Sequence, residues 1–407
     1  MIGVSHIISR KEGCTMAPNS PFDELVNRHG TSCLKYDFGL ARKGRTDLLP
    51  MWVADMDFAL PKDILADFHA RIDHGIFGYT DPDADYYEAL DGWFSRHHGY
   101  HIKPEWVTVG CGVVYGLATA IKAFTRPNDA ILIQQPVYYP FREVIEDNGR
   151  VFVNSQLRNE GGRYTIDFDD VEKKMIAHNV KALLLCSPHN PVGRVWSRKE
   201  LERLGDLCLT HHVIILCDEI HCDFVYAPHH FTSFLTLDEK YRRNLAVFTS
   251  PSKTFNVAGF QPGNIIIPDE TLRQAYRRAN AASGYSQGSI MGQIAVKSCY
   301  TKGDAWVKEL VAYIKGNIDW TRDFVKKNLP QAVMTDPEGT YLVWIDFSGY
   351  GLSDEGLEEA VTDKAKLWLD SGKIFGPETA QFERFNMAAP RAVIEEAFGR
   401  LKKALEN

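Results

Sequence analysis

The 407-residue sequence lacks most of the features that mark specialised protein classes. No apolar run approaches the roughly 20 residues needed to cross a bilayer, and the opening MIGVSHIISRKEGCTM has no apolar core of the kind a secretory signal carries. A cytoplasmic protein with no membrane partner is expected. Lysine and arginine form no long run and the net charge is −7, so the electrostatic footprint of a nucleic-acid binder is missing. The eight cysteines are scattered and none makes a C-x-x-C pair, which predicts reduced thiols. There is no repeat, low-complexity tract or obvious linker, so any lobes should be packed rather than tethered.

What is present is material for a large interior: 44% of residues are hydrophobic and 12% aromatic. This length suggests two lobes and a small-molecule ligand. Ala130–Gln134, Val151–Asn154, Ala182–Cys186, Val213–Cys217, Ala246–Thr249 and Asn264–Ile267 read as strands buried on both faces. Between them lie helical spacings such as Arg198–His211, with apolar residues at 201, 204, 207 and 208. The alternation implies an α/β fold with a mostly parallel sheet and helices on both faces, whose ligands bind at the carboxyl ends of the strands. Farther on, a helix is expected from Lys302 to about Leu329, ended by Pro330. A strand at Thr340–Phe347, an amphipathic segment at Asp354–Ser371 and a last helix at Ala392–Leu405 follow. The expected division is a disordered extension over 1–20, a large domain over 61–301, and a small α+β domain from 21–60 with 302–407.

Three strand ends carry polar residues. ALLLC leads into SPHNPVGR (Ser187–Arg194), VIILC into DEIH (Asp218–His221), and LAVFT into SPSKT (Ser250–Thr254). Lys253 has no charged neighbour between Asn244 and Phe260, so it should be buried. Singly these are ordinary: Asn-Pro is a turn, Asp a helix cap, Lys a surface residue. Together they suit pyridoxal 5′-phosphate, in which a lysine amine forms a Schiff base and a carboxylate beside the pyridine nitrogen keeps it protonated. Lys253 and Asp218 fit those roles, with Ser250 and Ser252 as donors to phosphate oxygens. VGCGVVYGL (Val109–Leu117) is a glycine-rich turn into a helix, presenting the N–H groups of Gly112 and Val113 to an anion.

With these motifs the chain resembles the fold type I pyridoxal-phosphate enzymes of the aminotransferase class I/II superfamily. Within them it is similar to the MalY/PatB, or cystathionine β-lyase-like, group of C–S lyases. The resemblance runs from about Asn27 to Arg391. It rests on LPMWVADMDF (Leu49–Phe58), FGYTDP (Phe77–Pro82), QPVYYPF (Gln135–Phe141), SPHNPVGR, CDEIHCDF (Cys217–Phe224), SPSKTFNVAGF and RFNMAAPR (Arg384–Arg391). It implies a seven-stranded sheet and a homodimer with composite active sites. It also assigns roles. Lys253 would hold the cofactor and take the substrate's Cα proton, and Asp218 would pair with the ring nitrogen. Asn190 would bind the ring oxygen. His221 stands where better-known aminotransferases carry a tyrosine. Tyr138 would stack on the ring, with Tyr139 as the alternative. Tyr79 would reach the phosphate in the neighbouring subunit. Arg384 would hold the substrate carboxylate by a bidentate fork, with Arg391 as the fallback, and Trp52 and Ala54 would lie near the substrate.

The implied reaction is β-elimination from L-cystathionine or another L-cysteine S-conjugate, releasing thiol, pyruvate and ammonia. The same residues would also serve an aminotransferase. A non-enzymatic regulator is a third reading, against which the intact lysine, aspartate, asparagine and arginine argue. The pairs His97–His98, His211–His212 and His229–His230 read as solvent-facing loop residues and not a metal site. Asp55 and Asp57 read as ordering the loop at the site's mouth. Tyr115 is open between substrate contact and core packing.

Overall fold

The computed structural model describes residues 20–285 and 287–406. The expected disordered extension therefore lies, except for Ser20, outside the described residues. Seven strands form the main sheet: β1 (Val107–Cys111), β2 (Ala130–Ile133), β3 (Val151–Asn154), β4 (Ala182–Cys186), β5 (Ile214–Asp218), β6 (Leu245–Thr249) and β7 (Pro262–Ile266). Their order is β1-β7-β6-β5-β4-β2-β3. β7 pairs antiparallel with both neighbours, and the other pairings are parallel.

The apolar runs are continuous because both faces are covered. In β4, Leu183 and Leu185 enter one hydrophobic cluster while Ala182, Leu184 and Cys186 enter another on the opposite face. That split is the two-residue period of a strand. Helices α1 (Lys62–His74), α2 (Ala84–His98), α3 (Val113–Phe124) and α4 (Arg198–Thr210) follow the spacing of apolar residues. Helix α4 opens with a Ser197/Glu200 capping box and buries Leu201, Leu204 and Cys208.

A second sheet of four strands is made from β8 (Val333–Met334), β9 (Leu342–Asp346), β10 (Asp370–Ser371) and β11 (Phe382–Asn386). Its apolar side packs against α6 (Asp304–Asn328) and α7 (Arg391–Leu405), with Val343, Ile345 and Phe385 in one hydrophobic cluster with Leu310, Ile314 and Phe398. The register sets Asp370 directly opposite Arg384.

Several sequence expectations shift. The turn expected to open at Val109 begins later, because Val107–Cys111 is a strand at the sheet's edge. The helix expected from Lys302 starts after a break at Gly303, because α5 (Ile290–Lys302) ends there. The segment Asp354–Ser371 is helical only to Lys364. Leu367–Trp368 then pairs in parallel with Leu49–Pro50, so tertiary pairing overrides the amphipathic pattern. The histidine pairs are also not all loop residues. His97 and His98 lie in α2, where His97 stacks on Trp93 at 3.8 Å and His98 is largely buried against Asp223.

Candidate functional site

The carboxyl ends of β4, β5 and β6 and the turn between β1 and α3 converge on a cavity of about 200 Å³. Gly112, Val113, Tyr138, Asn190, Asp218, His221, Ser252, Lys253 and Ala54 all face it. Ser250 and Arg384 stand just behind. Tyr79 is not brought there by its own chain: it is 97% exposed, beside Phe77.

Lys253 sits in a single helical turn, Pro251–Thr254, directly after β6. It is half-buried rather than buried because its amine opens on the cavity. Desolvation brings that amine down to about 8, and the nearby Arg384 guanidinium adds to the effect. Its Nζ donates to the Ala54 carbonyl at 2.7 Å, and the Tyr341 hydroxyl donates to the same oxygen at 2.9 Å.

Asp218 closes the other end. Burial pushes its carboxyl up to about 7, while an N–H from Ile220 at 3.1 Å and the Lys253 charge pull the other way. His221 is buried and held well below its ordinary value, chiefly by desolvation, so it is neutral near pH 7. Its Nδ1 has no hydrogen-bond partner, and neither has the buried Thr249 hydroxyl. His221 lines the cavity, so its unsatisfied buried nitrogen there points to a ligand.

Gly112 supports the turn at φ +81°, with open space where a side chain would stand. Behind it, a Cβ on Gly263 would come within 2.9 Å of the Gly112 nitrogen. The turn is therefore packed from the rear and open at the front, where the first N–H groups of α3 can hold an anion. The two serines divide their work. Ser250 is the cap of the lysine's helical turn, accepting from the Ser252 N–H at 3.0 Å and donating to the Pro262 carbonyl at 2.7 Å, whereas Ser252 reaches the cavity. The set suits a planar ring with a protonated nitrogen at Asp218, a phosphate at the turn and a covalent link at Lys253.

Arg384 is buried in β11. Its Nη1 donates to Asn190 Oδ1 at 3.0 Å and its Nη2 to the Trp52 carbonyl at 2.8 Å and to Asp370. Its Nε is buried without a partner. The fallback, Arg391, lies elsewhere: its Nε donates to Asn317 and its guanidinium lies over Trp320. Asp55 and Asp57 do order the mouth loop, through Arg28 and the buried Lys35. Tyr115 faces the cavity, with its hydroxyl 3.2 Å from Asn280 Oδ1.

Two residues escaped the sequence reading. Asp370 lies inside the segment whose sequence reads only as amphipathic, and nothing in its neighbours marks a buried carboxylate. Asp223 lay inside CDEIHCDF without a role. It accepts from Trp93 Nε1 at 3.1 Å and from the Thr254 hydroxyl at 2.5 Å, and stands 2.8 Å from His98 Nε2. It thus ties the loop after β5 to the lysine's turn and to α2.

The sequence model of the family "Aminotransferase class I and II" matches residues 46–401. The chain belongs to this family. Among relatives, cystathionine beta-lyase PatB of Bacillus subtilis is 41% identical over 384 residues, covering 94% of this chain and 99% of that protein. Among solved structures, the PLP-bound C-S lyase from Staphylococcus hominis is 32% identical with a TM-score of 0.89, covering 96% of this chain and 99% of that one. Cystalysin from Treponema denticola, which contains a pyridoxal 5′-phosphate cofactor, is 35% identical with a TM-score of 0.91, covering 95% and 98%. These likenesses extend over both sheets, so the fold of this family member is that of its relatives throughout.

Proposed function

We propose that this chain is a pyridoxal 5′-phosphate-dependent β-lyase that cleaves the carbon–sulfur bond of L-cystathionine or a related L-cysteine S-conjugate. The observation that carries the reading is the pairing of Lys253, its amine brought down to about 8, with Asp218 across one cavity in a chain 41% identical to a cystathionine β-lyase. When bound, the cofactor supplies a conjugated ring able to hold the electron pair released at the substrate's Cα. Lys253 holds the cofactor covalently and takes the Cα proton. Asp218 keeps a proton on the ring nitrogen. Asn190 and His221 attend the ring oxygen, Tyr138 covers the ring face, and Gly112, Val113 and Ser252 attend the phosphate, with Ser250 capping the turn behind them. Arg384 orients the substrate's carboxylate, with Ala54 and Asn190 beside it. The Cα–H and Cβ–S bonds break, sulfur leaves as a thiol, and the remaining three-carbon fragment hydrolyses to pyruvate and ammonia.

The matched family's name supports a second reading, transfer of the amino group to a 2-oxo acid, by the same residues. L-Cystathionine without added 2-oxo acid should yield thiol and pyruvate in equal amounts. Turnover that depends strictly on a 2-oxo acid, with a new amino acid as product, would replace the lyase by the transferase.

The working unit on this reading is a homodimer. Ile76 and Phe77 are 67% and 56% exposed beside Tyr79, a stretch of apolar surface suited to a second copy. Tyr79 would complete the partner's phosphate site. Mixing Tyr79→Phe chains with Lys253→Met chains should then yield dimers in which one site carries both defects and the other neither, restoring activity above that of either parent. An active monomer on sedimentation would end this idea. The reading also includes two lobes, 61–301 and 21–60 with 302–407. No described helix is long and apolar enough to cross a membrane, and the seven described cysteines are free, the state a reducing cytoplasm would keep them in on this reading.

A further inference from the structure

A guanidinium offers a carboxylate two paired edges, Nε with Nη2 and Nη1 with Nη2, and each edge needs a hydrogen from Nη2. Arg384 has already given both Nη2 hydrogens away, one to the Trp52 carbonyl and one to Asp370. No two-point contact is free for an incoming carboxylate, although the unpartnered Nε marks where one would approach. One of the two acceptors must yield. The Trp52 carbonyl belongs to a main chain pinned on either side, with the Met51 N–H on the Trp368 carbonyl at 2.9 Å before it and the Val53 carbonyl accepting from Asn386 Nδ2 at 2.7 Å after it. Asp370, by contrast, holds Arg384 through its side chain, which can leave by turning about its own bonds without moving the main chain.

Resting on the reading of Arg384 as the substrate's anchor, we propose that Asp370 is an internal stand-in for the substrate's carboxylate, holding Arg384 until the ligand displaces it. Like exchanges for like, so the buried guanidinium is never left unpaired, the state that is costly in a protein interior. The displaced carboxyl has a way to be neutralised. Burial already raises its proton affinity, and the groups around it are Glu383 beside Arg384 on β11, Lys43 from the N-terminal arm, and the Tyr138 and Tyr139 hydroxyls. Glu383 is itself pushed up to about 8 by burial and by Asp370, so the pocket accepts protons readily.

The test uses propionate, which carries the carboxylate but no amine and so cannot react with the cofactor. In the holoenzyme, Asp370→Asn and Asp370→Ser should each bind propionate about tenfold or more tightly than wild type, because the ionic competitor is gone. A merely structural role for Asp370 would weaken binding instead, and weaker or unchanged binding in both variants overturns the proposal. Arg384→Ala should lose propionate binding. If it binds as wild type does, the anchor reading falls, and this inference with it. A crystal structure of unsubstituted holoenzyme with propionate decides the matter without variants. Propionate on Arg384 with Asp370 turned away supports displacement, and propionate bound with the Arg384–Asp370 pair intact overturns it.

Discussion

Lys253→Met should abolish turnover at every substrate concentration, by at least about a thousandfold, because one substitution removes both the covalent link and the base. Borohydride reduction of wild type followed by mass spectrometry should place the cofactor's mass on the Lys253 peptide. Finding it on another lysine would refute the assignment. The same variant should be more stable than wild type in the cofactor-free state at pH 7. The folded chain holds the amine at about 8 against 10.5 for the ordinary lysine, so burying the charged form costs stability wherever both states are protonated. That cost is present in full below about pH 8, shrinks as the pH rises, and is gone above 10.5. A gain on the order of 1–3 kcal/mol at pH 7, fading toward pH 10, is expected from thermal melts of the two proteins. Equal melting temperatures at pH 7 would show that the amine is solvated.

Arg384→Ala should lower kcat/KM by about 30-fold to several thousand-fold, corresponding to about 2–5 kcal/mol for a buried charge-assisted pair to the substrate. KM should rise along with the fall in kcat, since the carboxylate is held before and during bond cleavage. The variant should also melt earlier, because Asp370 keeps its burial and loses its cation. Adding Asp370→Asn should recover most of that stability and none of the activity. Full activity in Arg384→Ala would move the carboxylate site elsewhere.

The legible parts of this chain are those where local pattern and tertiary role agree. Runs such as ALLLC and LAVFT announce strands buried on both faces, and polar residues directly after them announce a site, because an α/β sheet presents its strand ends to ligands. Asp218, Asn190, Lys253 and the Gly112 turn could be found this way. Register is what the pattern does not carry. Asp370 matters only because β10 lies against β11 with Arg384 opposite, a pairing between segments that are not adjacent in the chain. Leu367–Trp368 was misread for the same reason: its partner strand lies more than three hundred residues earlier. Tyr79 marks a different boundary. The role proposed for it belongs to an assembly, which no single chain displays.

The three-way tie at Asp223 also limits how this sequence can drift. Trp93 and His98 sit on a helix remote in sequence from the catalytic loops, yet both engage the carboxylate that grips Thr254, the residue after Lys253. Substitutions on one side of α2 are therefore felt at the lysine, while those on its solvent side are not. Descendants of this sequence should vary freely along one stripe of that helix and stay fixed along the other, and a survey of laboratory-evolved variants would show a surface element inheriting the constraints of an active site.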